Sequence, residues 1–134
     1  MKYVLDCSFS SSLFLPDENS ADTRDFVLSL SRKDSVYIPI LWWYETANVL
    51  RFSVKRNRLK HSDVSTIIEL LSSMNFLTDI GYGKIHTKEL FDLADKYDIT
   101  SYDAAYLELA AREKARLMSY DDNLNKAARA FGVK

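Results

Sequence analysis

Short apolar segments alternate along this chain with longer stretches of helical periodicity. The clearest examples, Tyr3-Val4-Leu5 and Val36 to Ile40, lack the polar alternation of a strand with one face in water. Strands that are separated by helices pair in parallel and are covered by helices on both faces. The pattern predicts an α/β fold with strands at 2–6, 36–40, 76–78 and 116–119 and helices at 8–15, 23–30, 42–55, 62–71, 87–97, 101–113 and 123–130.

Size and composition narrow the class of protein. The chain has 134 residues, the size of one domain, so we expect residues 1–134 to form a single domain. A formal net charge of −1 argues against a protein that coats nucleic acid nonspecifically. Cys7 is the one cysteine, which is typical of a reducing cytosol. No apolar run approaches the ~18 residues of a membrane span and no export signal precedes the first strand. We therefore expect a cytoplasmic protein without membrane contact.

Four carboxylates occupy the positions where a parallel sheet would gather them. Asp6 ends the first strand and Asp121 follows the last, while Glu45 lies early in one helix and Asp103 opens another. The ligand site of such a sheet lies beyond the carboxyl ends of its strands. Carboxylates that meet without basic partners repel one another, and the arrangement persists mainly when a divalent cation neutralises it. The pattern indicates a metal-dependent hydrolase, and most of all a nuclease.

Each carboxylate also has a structural explanation. Asp6 could cap the following helix, and Thr100-Ser101-Tyr102-Asp103 matches a capping box. Glu45 could be solvated, although its apolar neighbours make an idle carboxylate there hard to explain. Of the adjacent Asp121 and Asp122, we assign Asp121 to the crevice and expect Asp122 to be a solvated neighbour or a helix N-cap. The joint placement of the four acids, rather than any one of them, favours a site.

The segments around these acids resemble a known family. In order and spacing they resemble PIN domains, and among these the VapC-type toxin ribonucleases of prokaryotic toxin–antitoxin pairs. The resemblance implies a three-layer α/β/α fold with a parallel sheet of about five strands, Mg²⁺ or Mn²⁺ held by the acidic cluster, and endonucleolytic cleavage of RNA. The segments that carry it are Val4-Leu5-Asp6-Cys7-Ser8, Pro39-Ile40-Leu41-Trp42-Trp43-Tyr44-Glu45-Thr46-Ala47-Asn48-Val49-Leu50, Ser101-Tyr102-Asp103-Ala104-Ala105-Tyr106-Leu107-Glu108-Leu109-Ala110 and Leu117-Met118-Ser119-Tyr120-Asp121.

Carried over residue by residue, the resemblance implies a catalytic and metal-binding quartet. Our hypothesis makes Asp6 the central ligand, lets Asp103 and Asp121 complete the shell directly or through waters, and has Glu45 bind the metal or orient the attacking water. Supporting roles fall to side chains that are near these acids in sequence. These are Ser8, which could also cap the helix, Asn48 and Ser119.

Basic residues follow the Glu45 helix and are candidates for contact with RNA phosphates. Cations at the end of a helix also complement its dipole, and that explanation is at least as strong. An unpaired base could stack on Tyr82 or Trp43, although packing better explains the tryptophan. The resemblance further implies a small antitoxin partner and a homodimer, and the aromatic run at 42–44 is compatible with a buried contact. The basic candidates are Arg51, Lys55, Arg56 and Arg58.

Three other functions compete with the nuclease. A phosphotransferase would use Asp6 as a nucleophile, but such sites usually place a second aspartate two residues on, where this chain has Ser8. A thiol enzyme would need a base near Cys7, and His61 and His86 lie in segments without an evident link to it. A catalytically inactive PIN-like interaction module would retain the fold and lack metal binding.

Overall fold

The computed structural model describes residues 1–16 and 19–134. Four parallel strands form its sheet, in the spatial order β3-β2-β1-β4. Because β1 lies inside the sheet, the residue that follows it emerges near the middle of the carboxyl edge. The strands are β1 (Lys2–Leu5), β2 (Ser35–Pro39), β3 (Leu77–Asp79) and β4 (Arg116–Met118).

Helices cover both faces of this sheet, which gives the three-layer α/β/α arrangement expected from the sequence. Val4 and Leu5 are both fully buried, and successive strand residues point to opposite faces, so neither face of β1 meets water. The helices are α1 (Cys7–Ser11), α2 (Ser20–Ser29), α3 (Leu41–Lys55), α4 (His61–Ser73), α5 (Lys84–Tyr97), α6 (Ser101–Glu113) and α7 (Asp122–Phe131).

The most deeply buried helix is α6, which packs against β1 and β2. Its small and apolar residues, among them Ala104, Leu107 and Leu109, are almost completely shielded from water. The helix begins after Thr100, whose hydroxyl accepts the backbone N–H of Asp103 at 3.1 Å, as the capping sequence predicts. This packing fixes the start of α6 beside the carboxyl end of β1.

The sheet has four strands in the described chain, one fewer than expected. The C-terminal residues extend along β4, but only the N–H of Leu117 reaches the carbonyl of Lys134, at 2.8 Å. One backbone hydrogen bond is not a ladder, so among the described residues this segment does not count as a fifth strand. Three predicted boundaries also differ by three residues or more: α1 ends at Ser11 rather than at residue 15, α2 begins at Ser20 rather than at residue 23, and α5 begins at Lys84 rather than at residue 87.

No helix among the described residues has the length and apolar character needed to cross a membrane.

Candidate active site

The four predicted acids come together at the carboxyl ends of β1 and β4. Asp6, Glu45, Asp103 and Asp121 all line one open cavity of about 360 Å³. They are contributed by the residue after β1, the second turn of α3, the first turn of α6 and the residue before α7. No lysine, arginine or histidine is among the described residues that line the cavity. The cavity is therefore an acidic pocket without a protein counter-charge.

Two serine hydroxyls fix the carboxylate of Asp6, which is only 6% exposed. Ser8 Oγ and Ser119 Oγ both donate to Asp6 Oδ2, at 2.7 and 2.6 Å. Asp6 occupies the N-cap position of α1, but its side chain accepts no capping bond from the helix. The helix-capping explanation of this carboxylate is therefore wrong, and Asp6 is oriented by a side chain of α1 and by one from the residue that follows β4.

The same hydroxyls join β1 to the loop after β4. Ser8 Oγ accepts the backbone N–H of Tyr120 at 3.2 Å, and Ser119 Oγ accepts that of Asp121 at 3.0 Å. Each hydroxyl thus donates one hydrogen bond to the carboxylate of Asp6 and accepts one from a backbone N–H of the loop after β4. The predicted supporting residues Ser8 and Ser119 hold the acidic pocket in shape.

Glu45 is held by a tyrosine that we did not single out from the sequence. The phenol of Tyr106 donates to Glu45 Oε1 at 2.7 Å, and Tyr106 is fully buried. Burial raises the pKa of Glu45, and repulsion by Asp6 and Asp103 adds to that rise, while the bond from Tyr106 opposes it. Burial and the charge of Glu45 raise the pKa of Tyr106 as well, so the phenol remains a donor. The sequence feature that could have identified Tyr106 is its position three residues after Asp103, which places both side chains on one face of α6.

The start of α3 is anchored close to Asp6. The indole N–H of Trp42 donates to Ser10 Oγ at 2.8 Å, and that hydroxyl donates to the backbone carbonyl of Asp6 at 3.1 Å. Trp42 and Ser10 are both buried, so these bonds are shielded from water. They hold the helix that carries Glu45 against the turn that carries Asp6.

Asp103 is partly buried in the first turn of α6. Burial raises the pKa of its carboxyl, the charges of Asp121 and Asp6 raise it further, and a hydrogen bond with Thr100 opposes them. Capping and a place in the pocket therefore coexist at this residue. The electrostatic influence of two other acids on Asp103 is consistent with a shared site.

Asp121 both lines the cavity and caps α7. Its Oδ1 accepts the backbone N–H of Leu124 at 2.8 Å. The suggestion that Asp122 is the N-cap is wrong, because Asp122 is the first residue of the helix and is exposed. The N–H groups that need a cap lie within reach of the preceding side chain, and one oxygen of Asp121 satisfies this need.

Of the residues predicted to support the site or to contact RNA, Asn48 lies at the cavity and the basic residues lie outside its lining. Asn48 lines the cavity, whereas Arg51, Lys55 and Arg56 are exposed beyond it at the C-terminal end of α3. None of these three cations forms an ion pair with a described carboxylate. Arg58 donates instead to the carbonyl of Pro16 at 3.3 Å, so it helps to hold the loop there.

Trp43 is half-buried and packs against the core, as the sequence favoured, and Tyr82 is exposed. The ring of Trp43 meets Trp42 edge-on with centroids 4.9 Å apart, and its N–H donates to Thr78 Oγ1 at 3.1 Å. Tyr82 is 88% exposed, but it does not line the acidic cavity.

Cys7 is poorly suited to nucleophilic chemistry. It is 5% exposed, its Sγ lies 3.9 Å from Thr46 Oγ1, and burial raises its pKa to about 12. The charges of Glu45 and Asp6 raise that pKa further. A thiol in this environment contains almost no thiolate at neutral pH, which removes the main support for a thiol enzyme.

A second cluster of metal-ligand types lies elsewhere and was missed in the sequence. The ligand atoms of His86, Glu89 and Glu108 fall within 4.8 Å of one another. The guanidinium of Arg112 donates hydrogen bonds to both carboxylate oxygens of Glu108, at 2.7 and 3.3 Å, and forms an ion pair with Asp79 at 2.9 Å. The guanidinium of Arg112 therefore neutralises Glu108, and through Asp79 it ties α6 to the end of β3, so we assign Glu108 to this ion-pair network.

The donor set of the acidic cavity suits a hard divalent cation. It consists of carboxylate oxygens with a serine and an asparagine beside them, which favours Mg²⁺ or Mn²⁺ over zinc. No three of the quartet belong to a group of ligand atoms as close as 4.8 Å among the described residues. The acids thus surround an open space, which is compatible with a cation that retains several waters.

Comparisons with known proteins agree with this geometry. The family model described as PIN domain matches residues 3–130. Ribonuclease VapC3 of Pyrobaculum aerophilum is 32% identical over 125 residues, which are 92% of this chain and 92% of that protein. The crystal structure of PAE2754 from the same organism superposes with a TM-score of 0.72, at 20% identity, over 95% of this chain and 84% of that one, and supports the fold alone. The chain therefore belongs to the PIN domain family.

Proposed function

We propose that this protein is a metal-dependent endoribonuclease that hydrolyses RNA phosphodiester bonds at the cavity of Asp6, Glu45, Asp103 and Asp121. The observation that carries the proposal is the meeting of these four acids in one cavity without a cationic side chain. Likeness to a protein named Ribonuclease VapC3 supports RNA as the substrate. It also supports a role as the toxin of a type II toxin–antitoxin pair.

The carboxylates would hold Mg²⁺ or Mn²⁺, with Asp6 as the central ligand and with Asp103, Asp121 and Glu45 around it. When bound, the cation would neutralise these acids, offset the charge of the phosphodiester and make a water molecule more acidic. Ser8 and Ser119 saturate Oδ2 of Asp6. The other oxygen, Oδ1, is the one that we assign to the metal.

Glu45 is the residue that we assign to the attacking water. Its raised pKa makes it a better proton acceptor than an ordinary glutamate, and Tyr106 fixes the orientation of its carboxylate. Asn48 lines the same cavity one helical turn further on. Its amide could donate to a phosphate oxygen and so orient the phosphodiester for attack.

We also propose the setting in which this activity operates. RNA is the substrate, a small antitoxin protein holds the enzyme inactive, and two copies of the chain form a homodimer. Residues 1–134 act as a single domain, and the enzyme works in the cytoplasm, where its RNA substrates are found. Of the aromatic run at 42–44, only Tyr44 is widely exposed, at 73%, so it is the member available to a partner.

The decisive experiment compares Asp6→Asn with a matched charge control, Asp95→Asn. Asp95 is an exposed carboxylate on α5 and lies outside the cavity. Both variants are checked by circular dichroism and incubated with single-stranded RNA in Mg²⁺, Mn²⁺ or EDTA. We expect the parent and Asp95→Asn to cleave only with a divalent ion and Asp6→Asn to lose at least about 100-fold in rate, more than a residue outside the metal shell costs.

Undiminished cleavage by folded Asp6→Asn would rule out the assignment. A parent protein that neither cleaves RNA nor binds Mn²⁺ would support the alternative of a catalytically inactive PIN-like interaction module. Acid-stable phosphate trapped on Asp6 would instead indicate the phosphotransferase alternative.

A further inference from the structure

An exposed aromatic ring continues the cavity-facing side of α3. Phe52 is 40% exposed and follows Val49 and Asn48, two residues of the cavity lining, by three and four positions. Residues three, four and seven apart share a face of a helix, so Glu45 lies on the same face. Seven residues of helix correspond to roughly 10 Å along the axis. The ring therefore lies just beyond the cavity, on the side where α3 ends.

Positive charge accompanies this ring. The guanidinium carbon of Arg51 lies 5.4 Å from the ring centroid of Phe52, and that of Arg56 lies 5.7 Å away. Both distances are within the range of cation–π contact. Neither arginine is paired with a carboxylate of the described chain. Their charges are therefore available to an anionic ligand beside an apolar ring.

Helix termination explains only part of this arrangement. Cations near the C-terminal end of α3 complement the helix dipole, which accounts for a basic residue at position 56. A single exposed phenylalanine would also be unremarkable on a protein surface. Neither explanation accounts for a ring that lies on the cavity-facing side of the helix and carries two unpaired guanidinium groups. A ligand with both a flat apolar face and negative charge accounts for all three features.

We propose that Phe52 is a stacking platform for an unpaired base of the RNA substrate, with Arg51 and Arg56 on the adjoining phosphates. The proposal rests on the nuclease function above and specifies its substrate as single-stranded at this point. Bases in a duplex are already stacked, whereas an unpaired base presents its face to an aromatic ring. The planar guanidinium of arginine can donate two parallel hydrogen bonds to phosphate oxygens. The RNA would run along α3 from the ring to the acidic cavity.

Three variants separate stacking from structural effects. Phe52→Leu removes the aromatic face and keeps an apolar side chain, while Phe52→Tyr keeps the face. Phe91→Leu is the matched control, because Phe91 is a phenylalanine exposed by 61% on α5, away from the cavity lining. Each variant is assayed on a short single-stranded RNA and on an abasic oligoribonucleotide of the same length, which keeps the phosphodiesters and lacks every aromatic ring.

We expect Phe52→Leu to raise KM for the RNA by roughly 5- to 100-fold, which corresponds to the binding energy of one base–aromatic stack. Its kcat and its rate on the abasic oligoribonucleotide should remain near those of the parent, because the acidic cavity is unchanged. Phe52→Tyr and Phe91→Leu should resemble the parent on both substrates. An equal loss on both substrates, or an unchanged KM for RNA, would overturn the platform.

Binding without catalysis tests the platform independently of the proposed activity. Fluorescence anisotropy of the same labelled RNA in EDTA should show weaker binding by Phe52→Leu than by the parent or by Phe91→Leu. If the parent cleaves neither substrate while this difference persists, the nuclease proposal fails and the platform stands. If Phe52→Leu instead changes the mass measured by light scattering and leaves RNA binding intact, the ring serves a protein contact and the platform is wrong.

Discussion

Tyr106 donates a 2.7 Å hydrogen bond to Oε1 of Glu45, and this bond joins the buried face of α6 to the acidic cavity. Tyr106→Phe removes the hydroxyl and leaves the ring. The bond lowers the pKa of Glu45, so its loss should raise that pKa further and leave the carboxylate less fixed. We expect roughly tenfold lower RNA cleavage and a loss of about 1 kcal/mol in the free energy of unfolding.

Rate profiles against pH and urea unfolding would check this prediction. The rising limb of the profile should move to higher pH in Tyr106→Phe, which a purely structural defect would not cause. A variant with parental activity and an unmoved profile would show that Glu45 needs no donor from α6.

The two serines on Asp6 make a separate prediction about metal affinity. Ser8→Ala and Ser119→Ala each remove one donor to Asp6 Oδ2, and partners of a metal ligand typically contribute 10–100-fold in affinity or activity. We expect each to weaken Mn²⁺ binding by about that factor in isothermal titration. Because both hydroxyls reach the same oxygen, the double variant should not show the product of the two single effects.

Ser73→Ala provides the control for this series. Its hydroxyl donates to the carbonyl of Leu70 at 2.6 Å, on a helix outside the cavity lining. Unchanged Mn²⁺ affinity in both single variants would mean that the orientation of Asp6 depends on the backbone alone.

Much of this arrangement is readable from the sequence because it depends on local patterns. Apolar runs locate the strands, and an acid directly after a buried strand must lie at the carboxyl edge, as Asp6 does. The position of Asp121 follows from the same rule. The sequence cannot decide which of two adjacent aspartates caps a helix, because this depends on where the first turn closes; here Asp121 does so.

Contacts between distant elements are what sequence reasoning missed. The bond from Tyr106 to Glu45 joins residues 61 positions apart; the helical period places Tyr106 on the face of Asp103, but it does not identify Glu45 as the partner. The Glu108–Arg112 pair has the spacing of an ordinary surface pair on a helix, yet it is partly buried and binds Asp79 as well. The expected fifth strand is a further example, since among the described residues the segment after Gly132 gives β4 one backbone hydrogen bond, from Leu117 to Lys134, and no ladder.

Cys7 should be dispensable for catalysis although it lines the cavity. Its pKa of about 12 and its burial leave almost no thiolate at neutral pH. We expect Cys7→Ala to retain cleavage within a few-fold and to lose about 1 kcal/mol of stability through the vacated volume. The native thiol should react with iodoacetamide only on unfolding. Loss of activity in folded Cys7→Ala, or rapid labelling of the native protein, would revive the thiol enzyme.

Above the ordinary pKa values of carboxyl groups, the repulsion and burial in the cavity should make the metal-free protein less stable as pH rises. Glu45 and Asp103 have pKa values raised above 4.5 and 3.8 in the folded state, so the folded protein binds more protons than the unfolded chain in this range. Stability then falls with rising pH. Asp34 and Glu113, whose pKa values are lowered, remain ionised throughout this window and contribute little to the slope.

A saturating divalent cation should reverse that trend, because the ligands must be deprotonated to bind it. Urea unfolding in an acidic and in a neutral buffer, with Mn²⁺ or with EDTA, should show stabilisation by Mn²⁺ that grows with pH. Glu45→Gln removes one charge from the cavity and keeps an oxygen that can accept the bond from Tyr106, so it should be more stable than the parent in EDTA at neutral pH and gain less from Mn²⁺. Asp95→Asn should behave as the parent in both conditions. If Glu45→Gln and Asp95→Asn instead respond alike, the repulsion among the four acids is too weak to require a cation.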